Sequence, residues 1–141
     1  MVKQQARLWG LDTGAPLLLV DGPPRIGCPV ISASAGADLA LVVAEPTVSG
    51  GHDLERILAT AAHFGVPTWV IINKADLNPA RAEEIAAFCD ARGVEIVGRV
   101  SYDTVVTEAM VRGLPVTEFA DGPVSAALRE IWREVRRWLS A

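Results

Sequence analysis

The chain has 141 residues, half of them hydrophobic and 21% charged, and carries a net charge of −4. That length supports one domain, 1–141, with a real core. The acidic balance without a basic block argues against nucleic acid as a partner, and no apolar run reaches membrane-spanning length.

Short apolar runs alternate with longer amphipathic ones. This predicts an α/β fold, an open, mostly parallel sheet of about four strands with flanking helices. Val2 to Trp9 reads as the tail of a helix closed by Gly10, and Leu17–Val20 as the first strand. Pro29 to Ala37, rich in small residues, reads as a short, tightly packed helix. Leu39–Ala44 is the second strand. A helix from about Gly51 to Phe64 follows, with Leu54, Ile57, Leu58, Ala61 and Ala62 on one stripe. Gly65 stops it, and Pro67 prevents continuation. Thr68–Ile72 is the third strand. Asn78 and Pro79 form an N-cap and first turn, opening a helix that buries Ile85, Phe88 and Cys89 and ends at Gly93. Glu95–Val100 is the fourth strand, and a helix over Val105–Val111 closes at Gly113. The last helix begins near Pro123 and repeats Val124, Leu128, Ile131, Val135 and Trp138 on one stripe, with Arg and Glu opposite.

Ligands of open parallel sheets sit at the carboxyl ends of the strands, so the residues that close each run are the candidates. Asp21 ends the first strand and is followed by Gly22, Pro23 and Pro24; it is either a metal-directed carboxylate or a turn cap. Glu45-Pro46-Thr47 ends the second. Asn73-Lys74-Ala75-Asp76 ends the third in the pattern Asn-Lys-x-Asp, which on its residues alone is a polar helix entry. Ser101-Tyr102-Asp103 ends the fourth, where Tyr102 either stacks on a base or packs at the strand end. His52 and His63 read as helix-end residues, since neither has companions at ligand spacing. Cys28 and Cys89 form no Cys-x-x-Cys, which indicates neither zinc nor a disulfide scaffold. Lys3, Gln4, Gln5 and Arg7 break any secretory h-region, and a cytoplasmic location is expected.

Four segments, DGPPRIGCPV, GADLALVVAEPTVSGGHDLERIL, INKADLN and YDTVVTEAMVRGLPV, together resemble the C-terminal half of MinD/ParA-superfamily P-loop ATPases. The group with an inserted ferredoxin-type segment is the most similar. The resemblance implies an ATP- and magnesium-dependent dimerising switch. Asp21 takes the place of the carboxylate that holds a magnesium-bound water, and Gly22, Pro23, Pro24 and Arg25 that of the switch turn, Arg25 standing where the family has glycine. The resemblance assigns Asn73, Lys74 and Asp76 to the purine, and Tyr102 and Asp103 to the loop along the base, with Ser101 where proline is usual.

The phosphate side of that machine has no counterpart in this sequence. A Walker A loop is Gly-x-x-x-x-Gly-Lys-Ser/Thr. Lys3 and Lys74 are the two lysines, neither follows a glycine, and iron–sulfur cysteines are absent too. The expectation is therefore a partial P-loop NTPase domain, not catalytic alone. Its partner would be the missing N-terminal half, another chain, or itself through an exposed sheet edge. A non-catalytic interaction module that keeps the fold is the alternative. An unrelated small α/β enzyme is a third reading, for which no nucleophile or acid/base pair stands out.

Overall fold

The computed structural model describes residues 2–22 and 36–141. In chain order these residues hold α1 (Val2–Thr13), β1 (Ala40–Ala44), α2 (Val48–His63), β2 (Thr68–Asn73) and α3 (Pro79–Asp90). After them come β3 (Glu95–Val100), α4 (Thr104–Val111), α5 (Val116–Phe119) and α6 (Pro123–Leu139). The sheet is parallel with strand order β1-β2-β3. Helices α2 and α3 make the two crossovers that parallel pairing demands.

Three helices start where a side chain accepts an orphan N–H. Thr47 caps α2 by accepting from Gly50 N, Asn78 caps α3 by accepting from Arg81 N, and Asp103 caps α4 by accepting from Val105 N. Gly50 is a forced choice, because a Cβ there would lie 2.3 Å from the Glu45 carbonyl oxygen. The β1–α2 turn therefore folds tightly back on the end of β1.

Alternation along the strands divides the core into two layers. Val42, Ala44, Val70 and Ile72 face α2 and α3, packing with Leu54, Leu58, Ala82, Ile85 and Cys89. Ile71 and Val100 face the other way, onto Val124, Ile131 and Val135 of α6. A register shift opposite Val70 and Ile71 leaves Val97 as an extra residue in β3. That bulge resets the pleat: Ile96 faces the α2/α3 layer, while Gly98 and Val100 face α6. Gly98 lets α6 approach closely, since a Cβ there would sit 2.4 Å from Ile131 Cγ1. The hydroxyl of Ser125, buried at the start of α6, donates to Ala120 O at 2.6 Å.

Helix α6 covers β2 and β3 and leaves β1 bare on that side. Trp69 on β2 meets Trp138 of α6 edge-on with ring centroids 5.9 Å apart. Its cross-strand neighbour Leu41 stays 39% exposed, and Val43 61%.

Three expectations change. Leu17–Val20 is not a strand: the segment is irregular and its side chains are 43–83% exposed. A strand is held by a ladder to a neighbour, and among the described residues this apolar run is laddered to no strand, the outer edge of β1 included. Helix α1 runs through Gly10 to Thr13, and Gly14 at φ 66° marks its end. A single interior glycine costs a helix only about 1 kcal/mol. The short α5, unforeseen, fills the link from α4 to α6. Most of the helix expected over Pro29–Ala37 lies outside the described residues.

Candidate functional site at the carboxyl edge of the sheet

Because the strands are parallel and their last residues pair, their carboxyl ends deliver three turns to one edge. Ala44 pairs with Ile72 and Asn73 with Val100, which sets Glu45, Asn73–Asp76 and Ser101–Asp103 side by side. The β2–α3 turn lies in the middle and is fastened on both sides. Toward β1, Lys74 Nζ lies 2.7 Å from Glu45 Oε1. Toward β3, Ala75 N donates to Val100 O at 3.0 Å, extending the ladder one step past the strand. Beyond that, the Tyr102 peptide N–H donates to Asp76 Oδ1 at 2.7 Å.

Lys74 occupies the left-handed region with φ 53°. For a residue with a Cβ this conformation costs roughly 1–3 kcal/mol and persists where surroundings over-determine it. Here Lys74 N donates to Asn73 Oδ1 at 3.0 Å, and Leu77 N donates to Lys74 O at 3.1 Å. The Glu45–Lys74 pair is about two-fifths exposed on each side chain. Such a pair contributes on the order of 0–1 kcal/mol, so it orients the ammonium more than it stabilises the fold.

Asn73, Lys74, Asp76, Tyr102 and Asp103 thus lie on two adjacent turns. Asp103 spends one carboxylate oxygen on the α4 cap, accepting from Val105 N at 2.9 Å. Tyr102 is 49% exposed. Glu45 was a strand-end candidate in the sequence, but its pairing with Lys74 was not foreseen. Asp21 and Gly22 are exposed and outside the sheet. Pro23, Pro24, Arg25 and Cys28 lie outside the described residues.

Among the described residues, no group of three or more His, Cys, Asp or Glu side chains is placed to hold a metal ion. A magnesium ion bound mainly by nucleotide phosphates and water needs only one or two protein carboxylates, a role Asp21 fits by chemistry. His52 is exposed, and His63 meets Phe64 edge-on at 5.1 Å. Burial pushes the Cys89 thiol up from its ordinary value, opposed by the nearby Arg92 charge, and so keeps it protonated and inert. A hollow lined by Thr107, Glu108, Val111, Arg112 and Phe119 lies between α4 and α5, away from these turns. No helix among the described residues is long and apolar enough to cross a membrane.

A parallel α/β sheet with helices on both faces and its loops gathered at the strand carboxyl ends is the fold of the MinD ATPases. MinD of Aquifex aeolicus superposes with a TM-score of 0.77 at 21% identity, covering 96% of this chain and 61% of that one. The same organism's MinC:MinD complex gives 0.74 at 24% identity, covering 96% and 59%. MinD of Pyrococcus horikoshii, solved with Mg-ADP, gives 0.70 at 21% identity, covering 83% and 49%. In sequence, an uncharacterised protein of Methanocaldococcus jannaschii is 36% identical over 77 residues, 55% of this chain and 26% of its own length. An uncharacterised ATP-binding protein of that organism is 29% identical over 117 residues, 82% of this chain and 44% of its own. The chain therefore spans less than half the length of these curated relatives. It matches no protein-family model.

Proposed function

We propose that this chain is the base-side portion of a MinD-like nucleotide-binding domain, taking a purine nucleotide at the carboxyl edge of its sheet and not hydrolysing ATP by itself. The observation that carries this reading is the convergence of Glu45, Asn73–Asp76 and Ser101–Asp103 at one edge of a sheet with the MinD fold. Asn73 offers its side-chain amide to the purine edge, Lys74 its alkyl stem to the ring plane, and Tyr102 its ring. Asp76 and Asp103 complete the base side. Asp21 would hold a magnesium-bound water once phosphates are present, with Gly22, Pro23, Pro24 and Arg25 as the switch-like turn beside it. When bound, the metal supplies charge neutralisation to the phosphates. The sequence contains no Gly-Lys loop, so the phosphate cradle would come from the rest of such a domain or from another chain.

The phosphate cradle is the largest electrostatic contribution to phosphoryl transfer. Its lack leaves binding in the millimolar range or weaker, on the order of −4 kcal/mol. Titration with ATP followed by NMR should move the amides of Asn73–Asp76 and Ser101–Asp103 first, with no magnesium-dependent turnover. Turnover by the purified chain that Asp21→Asn abolishes, or micromolar binding indifferent to Asn73→Ala, would overturn the reading.

A second reading is an interaction module that keeps the fold and binds a partner or a second copy. The outer edge of β1, unpaired among the described residues, and the exposed Leu41 and Val43 favour it. The two readings separate experimentally: association that survives Asn73→Ala in a chain that binds no nucleotide supports the module.

A further inference from the structure

The N-K-x-D pattern invites Asp76 to be read as a group that touches the base. Its geometry points elsewhere. Oδ1 accepts the Tyr102 peptide N–H at 2.7 Å, a charge-assisted bond joining turns 26 residues apart. The next backbone bond inward, Ala75 N to Val100 O, runs between the same two turns, and Asp103 on the far side is held by the α4 cap. The Tyr102 peptide is therefore fixed from both ends, while about half of the residue remains open to solvent. With its peptide held, Tyr102 has only two side-chain torsions left to order when a base stacks on its ring. A carboxylate that reads guanine aims both oxygens at the N1–H and N2–H donors, whereas Oδ1 of Asp76 is aimed at the Tyr102 peptide.

We infer that Asp76 is a positioning residue, which serves the proposed base site by pinning the Tyr102 peptide and so presenting its ring, rather than by contacting the base. This rests on the base-site reading above. The two roles respond differently to Asp76→Asn. An amide oxygen still accepts the Tyr102 N–H, so pinning survives. For a base-reading residue, the same change replaces an acceptor by a donor, which disfavours guanine and favours xanthine, whose O2 is an acceptor.

The test uses the 141-residue chain, its Asp76→Ala, Asp76→Asn and Tyr102→Ala variants, and AMP, GMP and XMP as probes. NMR reads both hydrogen exchange at the Tyr102 amide and nucleotide affinity. Asp76→Ala is expected to speed exchange at Tyr102 and weaken all three nucleotides alike, by about tenfold, the order of a lost stacking contact. Asp76→Asn should restore both within about twofold, with the GMP:XMP ratio unchanged, and Asp76→Ala should add little on top of Tyr102→Ala. A GMP:XMP ratio inverted by Asp76→Asn, additive losses in the double variant, or an unaltered Tyr102 amide in Asp76→Ala would overturn the assignment. Failure of the wild type to bind any of the three overturns the base site itself. The amide exchange distinguishes that outcome from failure of the brace.

Discussion

Lys74 concentrates the energetics of the site in one residue. Its φ of 53° is the conformation in which a Cβ is penalised, and a β-branched side chain is penalised most. Lys74→Gly should stay within about 1 kcal/mol of the wild type, because relief of strain offsets the lost ion pair and the freer unfolded chain. Lys74→Val should lie about 2 kcal/mol below Lys74→Gly. Chemical denaturation of the three proteins measures the difference; equal midpoints for the glycine and valine variants would mean the turn is not strained. The residues of this turn were legible in the sequence because they follow an apolar run at a strand's carboxyl end. Their fastenings were not. The Glu45–Lys74 contact depends on which strands are neighbours, and the Asp76–Tyr102 bond on their register. Neither is a property of a local window.

At the level of elements, the helices with explicit stops and starts were the readable ones. Asn78-Pro79 marked α3 to the residue, and Pro123 marked α6. Strand β3 kept its expected bounds, Glu95–Val100, yet its bulge was invisible, since an extra residue leaves no mark on an apolar run. Leu17–Val20 was misread for a related reason: apolarity at strand length specifies burial, whereas a strand also requires a ladder. The bulge and Gly98 act together to seat α6. Gly98→Ala should therefore destabilise the fold by about 1–3 kcal/mol through overpacking against Ile131. The loss should shrink in an Ile131→Ala background, where the colliding Cγ1 and Cδ1 are gone. Thermal melts of the single and double variants check this, and purely additive losses would place the strain elsewhere.

For the whole molecule, the uneven cover of the sheet matters most. Its α2/α3 face is sealed across β1 and β2, whereas the α6 face is open over β1, whose outer edge also lacks a neighbour among the described residues. Strand β1 reads ALVVA, without the Lys, Pro or bulge that usually guards an edge. The chain is expected to self-associate, or to take a strand from a partner, with Val43→Lys shifting it toward monomer. Sedimentation at rising concentration is the measurement, and a wild-type monomer throughout would mean that β1 is protected. The same asymmetry gives the molecule an optical label of its own. Trp69 lies beside the bare Leu41 on one flank and against Trp138 on the other. Any polypeptide that settles over β1 would dry the indole of Trp69 and move its emission to the blue. Occupancy of the open face can thus be followed by intrinsic fluorescence, without a dye and without knowing the occupant.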